Sequence, residues 1–234
     1  MSMKEAEVLG PRQMPDGDGR DLLVFIEENL YTAVLSDALD DVDVREQAMR
    51  EYLRPVHVSC RFAGWARTIA CVDVYSKEES PYTKEIEALD SVLPDEVLVV
   101  ATGKSIRNAP WGELLSTAAK ARGARGAVID GLVRDVKKIE ELQFPVFAAG
   151  IKPVDSMGRG VVVDYNVPVE CGEVKVTPGD LVVADYDGVV VVPRDRVADV
   201  VARAHEKVQR ENGSRRDLMR GAYLRDVFAK YGVL

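Results

Sequence analysis

Histidine is nearly absent from this chain of 234 residues: His57 and His205 stand far apart and in no metal-ligand spacing. Chemistry that needs a histidine triad or a histidine-rich metal centre is therefore disfavoured. Cysteine is scarce too. Cys60, Cys71 and Cys171 form no CxxC pair, and an odd number in separate apolar runs reads as small buried hydrophobes of a reduced cytoplasm, not as a zinc site or disulfide. There is no run of about 18 apolar residues and no basic-then-apolar leader, so neither a membrane span nor a signal peptide is expected, and a cytoplasmic location is. A basic excess is also missing. The formal charge of −8 argues against a nucleic-acid backbone or an anionic membrane as partner, while leaving room for a local basic pocket that takes a small anion.

What is present is ordinary globular material, 47% apolar and 30% charged, in a chain long enough to bury a sizeable core within one domain. Residues 1–19, with "GPRQMPDGDGR", read as a mobile arm. The stretch "DLLVFIEENLYTAVLSDALDDV" predicts one or two helices from its apolar spacing. Residues 56–75 read as β-rich, punctuated by Gly64, and 82–93 as helical. Residues 96–151 then read β-α-β-α-β, the pattern of parallel strands with helical crossovers. The following third changes character, with strand runs separated by turn signals, and "LVVADYDGVVVVP" predicts a hairpin turning on Asp187-Gly188. An amphipathic helix over 195–212 and a charged, partly helical tail over 213–234 complete the chain. The whole is read as one α/β domain over 20–212 with a β-rich layer and terminal helices.

Two junctions carry candidate chemistry. In "PWGELLSTAAKARG" a glycine precedes the first turn of a helix, so the free amides of Gly112, Glu113, Leu114 and Leu115 would make an anion site suited to a carboxylate or phosphate. The plain alternative is an ordinary N-terminus, with Glu113 favourable against the dipole. In "GAVIDGLVRDVKKIEEL" three charges, Asp130, Arg134 and Asp135, fall in the turn after a strand, where parallel sheets gather their ligands. Arg134 presents a planar fork suited to carboxylate or carbonyl oxygens. Asp135 is of the type that anchors a hard cation such as Mg²⁺; alternatively it simply caps the next helix, with Arg134 solvated. Trp111 fits either the site entrance or the core, and Lys104, Arg107 and Asn108 sit in the loop before the helix, where they can reshape a pocket. Glu206 and Glu211 lie on the C-terminal helix, where acids usually face solvent unless a neighbouring chain is present.

The stretch "WGELLSTAAKARGARGAVIDGLVRDVKKI" resembles, nearly end to end, the signature of the RraA-like family, which includes 4-hydroxy-4-methyl-2-oxoglutarate aldolase and the regulator of ribonuclease activity A. "LSDALDDV" looks like the family's N-terminal helix and residues 155–193 like its β-rich half, so the likeness covers roughly residues 30 to 212. The resemblance implies an α/β/α sandwich of the swivelling-domain type, assembled as homotrimers or homohexamers with sites between subunits. It also implies a lyase that acts on a 2-keto acid with Mg²⁺ or Mn²⁺, as aldolase and oxaloacetate decarboxylase. In that scheme Arg134 contacts the pyruvyl oxygens, Asp135 anchors the metal largely through waters, and Gly112 to Leu115 give backbone amides to the substrate carboxylate. Glu113 or Glu211 assists proton transfer. Glu211 from the adjacent subunit, with Glu206 as second choice, helps place a water. The family's other branch implies a non-catalytic regulator that binds a ribonuclease; such regulators are shorter than this chain. A quinone-pathway methyltransferase is disfavoured, since no glycine-rich nucleotide loop follows an early strand.

Overall fold

The computed structural model describes residues 17, 19–77 and 79–233, so the arm expected over 1–19 lies almost wholly outside the described residues. Helices α1 (Arg20–Asn29) and α2 (Thr32–Asp40) lead into the two-residue β1 (Arg54–Pro55) and the long β2 (Phe62–Asp73). Helix α3 (Thr83–Asp90) precedes the alternating part: β3 (Glu96–Ala101), α4 (Glu113–Ala121), β4 (Gly126–Val133), α5 (Val136–Leu142) and β5 (Val146–Ile151). Five shorter strands follow: β6 (Gly160–Tyr165), β7 (Val169–Cys171), β8 (Val174–Val176), β9 (Leu181–Asp185) and β10 (Gly188–Val192). Helices α6 (Val197–Met219) and α7 (Leu224–Tyr231) end the described chain.

The main sheet runs β1-β5-β4-β3-β2-β9-β10, with β6 also paired to β2. Strands β2, β3, β4 and β5 are mutually parallel, as their helical crossovers require, while β9 and β10 form an antiparallel hairpin. The sheet almost closes on itself. Ala48 bridges Val190 on one edge, and shortly afterwards Arg54 and Pro55 pair with β5 on the other. The segment between them therefore links both edges and covers what would otherwise be unpaired strand margins.

Both faces of β3, β4, β9 and β10 are buried, which is why these strands read as continuous apolar runs instead of alternating ones. Val97, Val99, Val128, Val182 and Val191 point into the barrel-like interior, where Cys171, Val174 and Val176 of the β7–β8 hairpin join them. The residues between them point outward. Leu98, Val100, Ala127 and Ile129 pack beneath α3, α4 and α5, whereas Ala63, Val183 and Val190 pack beneath α1, α2 and α6. This is the expected mixed α/β architecture, with a helical layer on either side of the strands. Gly126 is required by close approach: a Cβ there would lie 2.4 Å from Phe62 Cδ1.

Three local expectations need correction. β4 continues to Val133, so Asp130 lies inside the strand and only Arg134 and Asp135 occupy the turn. The β9–β10 loop is Tyr186-Asp187, because Gly188 already pairs with Asp185; Asp185 stabilises this turn by accepting the Asp187 amide at 3.0 Å. Helix α6 does not stop near 212 but runs to Met219, since α7 packs back on it and the Tyr231 ring fills the space beside Gly213. All three cysteines are free. Among the described residues no helix is long and apolar enough to cross a membrane.

Candidate active site

The loop before α4 adds one rung to the end of β4. Trp111 bridges Val133 in parallel, and the Arg134 amide donates to the Trp111 carbonyl at 2.9 Å. Trp111 is buried, so of its two possible roles the structure selects the core. Its indole N–H donates to Ser116 Oγ at 2.9 Å, and that hydroxyl donates to the Gly112 carbonyl at 2.9 Å. The start of α4 is thereby tied to the strand end that carries the Arg-Asp pair. Gly112 makes the fit possible. Its φ of −158° suits any residue, but a Cβ would sit 2.8 Å from Asp135 Oδ2 and 3.1 Å from Arg134 Cγ.

Asp135 adopts the left-handed conformation, φ 58°, and its side chain makes no capping bond to α5. The capping alternative therefore fails. The carboxylate instead turns across to α4, with Oδ2 3.5 Å from the Glu113 amide and 3.8 Å from Arg134 Nε. Arg134 is gripped from the other side, its Nη2 lying 3.0 Å from Asp155 Oδ1. Asp155 in turn accepts the Tyr82 hydroxyl at 2.8 Å and the Met157 amide at 3.1 Å. These groups line an open cleft of about 360 Å³, walled by α3 on one side and the first turn of α4 on the other. Leu114 is exposed at its rim, and the Glu113 carboxylate accepts the Thr117 hydroxyl at 2.9 Å.

The cleft is electrostatically divided. Burial would raise the Asp155 carboxyl, but the Tyr82 hydroxyl, the Met157 amide and the Arg134 charge outweigh it and hold the group below its usual range. Glu85, in the first turn of α3, goes the other way. Burial above all, then the negative charge of Asp155, push it up to about 7 against the opposing pull of Arg134. Tyr82 is pushed up to about 12 by burial and by its bond to Asp155.

The profile described as RraA-like, Aldolase/RraA, matches residues 32–191. The chain belongs to the RraA-like family. It is 42% identical over 130 residues to the uncharacterised protein MJ0644 of Methanocaldococcus jannaschii, a match spanning 55% of this chain and 61% of that protein. It is 32% identical over 176 residues to a Halalkalibacterium halodurans protein provisionally named 4-hydroxy-4-methyl-2-oxoglutarate aldolase, covering 75% of this chain and 79% of the relative. Among solved structures it resembles Streptomyces coelicolor RraAS2, described as an unusual member of the RNase ES inhibitor RraA protein family. That likeness has a TM-score of 0.75 at 31% identity, over 88% of this chain and 99% of the other.

In this RraA-like chain Gly112, Glu113, Leu114, Leu115, Arg134 and Asp135 all line one cleft. Asp130 is excluded from it. That side chain is buried on the far side of β4, accepting the Thr102 hydroxyl at 3.0 Å and the Lys104 amide at 2.7 Å, and serves to hold the loop. Lys104 itself pairs with Glu173 at 2.6 Å, and Arg107 stacks on Tyr75, so neither charge points into the cleft. Asn108 is buried in the adjoining smaller cavity. Glu211 lies in the other helical layer, where the Tyr31 hydroxyl donates to it, and Glu206 is exposed on the same helix. Neither meets Arg134 within one chain.

Sequence reasoning missed Glu85, Tyr82 and Asp155. Asp155 had a usable signal, because it follows the carboxyl end of β5 just as Arg134 follows that of β4. Glu85 had none. In "TKEIEALD" it is one of several charges on a short helix, and only packing brings it to its half-buried position.

Proposed function

We propose that this RraA-like protein is a divalent-metal-dependent lyase that cleaves a carbon–carbon bond beside a 2-keto acid through the enolate of pyruvate. It would act as an aldolase on a 4-hydroxy-4-methyl-2-oxoglutarate-like substrate and as an oxaloacetate decarboxylase. The observation that carries this reading is the convergence of the Arg134 guanidinium, the uncommitted Asp135 carboxylate and the first-turn amides of α4 in one cleft. The named aldolase relative supports it.

The residues fit a hard cation. Asp135 is half-exposed, caps nothing, and has only a long 3.5 Å contact with the Glu113 amide. A single such carboxylate suits Mg²⁺ or Mn²⁺ retaining most of its water. Among the described residues no group of three or more His, Cys, Asp or Glu side chains could enclose an ion. When bound, the cation supplies positive charge beside the oxygen on which the enolate's charge develops. Arg134 holds the keto and carboxylate oxygens, its fork kept in place by Asp155, and the first-turn amides of α4, of which only that of Glu113 has a long contact with Asp135, bind the substrate carboxylate with help from the helix dipole. Such preorganised charge is the main means of lowering a barrier that creates an oxyanion.

The cleft is open on one side and Glu211 is held in the opposite helical layer. A homotrimer or homohexamer with sites between subunits would bring a Glu211 from one chain to the cleft of another. Light scattering tests the assembly. The activity is tested by pyruvate release from oxaloacetate and from 4-hydroxy-4-methyl-2-oxoglutarate, with Mg²⁺, Mn²⁺ or EDTA, for the natural chain and for Asp135→Ala. Metal-dependent release that the variant loses is the expected result. A second reading, a non-catalytic regulator that binds a ribonuclease, is favoured by the likeness to RraAS2. It requires that no release occur and that Asp135→Ala leave ribonuclease binding intact.

A further inference from the structure

We propose that Glu85 is the proton donor to C3 of the pyruvate enolate, and the acceptor in the reverse direction, a role that rests on the pyruvyl reading above. Glu85 lines both the main cleft with Arg134 and Asp135 and the smaller adjoining cavity beside Cys71 and Asn108, so it stands in the wall between them. Its carboxyl takes part in no hydrogen bond or ion pair among the described residues. Of the other acids of the cleft, Asp155 is engaged by Arg134 and Tyr82 and Glu113 by Thr117, while Asp135 is the carboxylate assigned to the cation.

The titratable groups that line the two cavities with Glu85 come from several elements. Arg134 and Asp135 come from the β4–α5 junction, Asp155 from the segment after β5, and Glu113 from α4. Cys71 and Asp73 come from β2, and Tyr82 from its own helix's start. Burial first, then the negative charge of Asp155, push the carboxyl up to about 7 against the opposing pull of Arg134. An acid in a helix's first turn would normally ionise readily against the dipole; here desolvation wins. A carboxyl half-protonated at neutral pH can both give and retake a proton within one turnover.

The chemistry requires such a group. When oxaloacetate loses CO₂, the C3–C4 bond breaks and its electron pair remains as the enolate of pyruvate. The Glu85 O–H bond then breaks, a C3–H bond forms, and pyruvate results. The Glu85 carboxylate recovers its proton from water. Breaking the C3–C4 bond does not itself need the donor, so cleavage and protonation are separable.

The test is proton NMR of the pyruvate methyl group in D₂O with Mg²⁺, run beside CO₂ release from oxaloacetate, for the natural chain, Glu85→Gln and Glu85→Asp. The natural protein should exchange the methyl protons. Glu85→Gln should exchange them about 100-fold more slowly or worse while still releasing CO₂, and Glu85→Asp should fall between. Exchange in Glu85→Gln equal to the natural rate overturns the donor role, as does a natural protein that releases CO₂ without exchanging. A natural protein that does neither overturns the pyruvyl reading and the donor role with it. Carbon-13 titration of the metal-free protein is independent of activity. A carboxyl midpoint near 7 that is absent from Glu85→Gln supports the role, and an ordinary glutamate midpoint sinks it.

Discussion

Adding a single methyl group at Gly112 should separate stability from activity in this protein. The Cβ of alanine would lie 2.8 Å from Asp135 Oδ2, 3.1 Å from Arg134 Cγ and 3.3 Å from Arg134 Nε. Ordinary contact begins at 3.4 Å, so Asp135 must retreat by about 0.6 Å and Arg134 by a few tenths. The backbone is extended there and accepts alanine without strain. Both displaced side chains are partly exposed, 38% for Arg134 and 49% for Asp135, so they can yield toward solvent. The overpacking cost should therefore sit at the low end, about 1 kcal/mol, against about 0.4–1 kcal/mol returned by the stiffer unfolded chain. Catalysis has no such outlet. A misplacement of about 1 Å can cost about 100-fold, so Gly112→Ala should lower kcat/KM for pyruvate release by about 10- to 100-fold with Tm nearly unchanged. Thermal denaturation and the coupled pyruvate assay, run on the same preparation, measure both. Wild-type kcat/KM in a folded Gly112→Ala protein would refute the claim that contact with Gly112 places the Arg-Asp pair.

Three further outcomes are expected. Asp135→Gly removes a left-handed non-glycine residue without breaking a cap, so Tm should stay level or rise, by up to about 1 kcal/mol of stability, while metal-dependent release disappears; a clear drop in Tm would restore a structural role for the side chain. Asp155→Asn frees Arg134 from a partly exposed pair, worth about 0.5 kcal/mol of stability, and should raise KM more than it lowers kcat. The same change removes a charge that raises Glu85, so the carboxyl midpoint seen by NMR should move down; a fixed midpoint would contradict the assigned cause. Glu85 is raised from 4.5 to about 7 on folding, so the folded state keeps a proton that the unfolded chain has lost. Its stabilising contribution is complete below about 4.5 and fades as pH rises through 7. Between those limits the natural chain should lose about 2–3 kcal/mol relative to Glu85→Gln in urea denaturation; a pH-independent difference would count against the burial of this carboxyl.

Local patterns in the chain are enough to reveal the parallel core and the two halves of the cleft. Val97 to Ala101, Ala127 to Ile129 and Val146 to Ala148 are short, doubly buried runs with helical stretches between them, and that periodicity is set by the chain alone. Gly112 before a helix and Arg134-Asp135 after a strand are likewise local signals, since helix starts and the carboxyl ends of parallel strands are positions that connectivity defines. Tertiary structure decided the rest because it depends on what approaches through space. Whether Asp135 capped its own helix or turned into the cleft was decided by a left-handed backbone and by the proximity of α4. Trp111 could be assigned to the core only once its bridge to Val133 was formed. Asp130, indistinguishable from its neighbours as a charge after a strand, proved to be a strut because β4 extends past it and turns its side chain toward Thr102 and Lys104. Glu85 became a candidate proton donor for the same physical reason: desolvation is a property of the surroundings, and α3 acquires those surroundings only when it packs over the cleft.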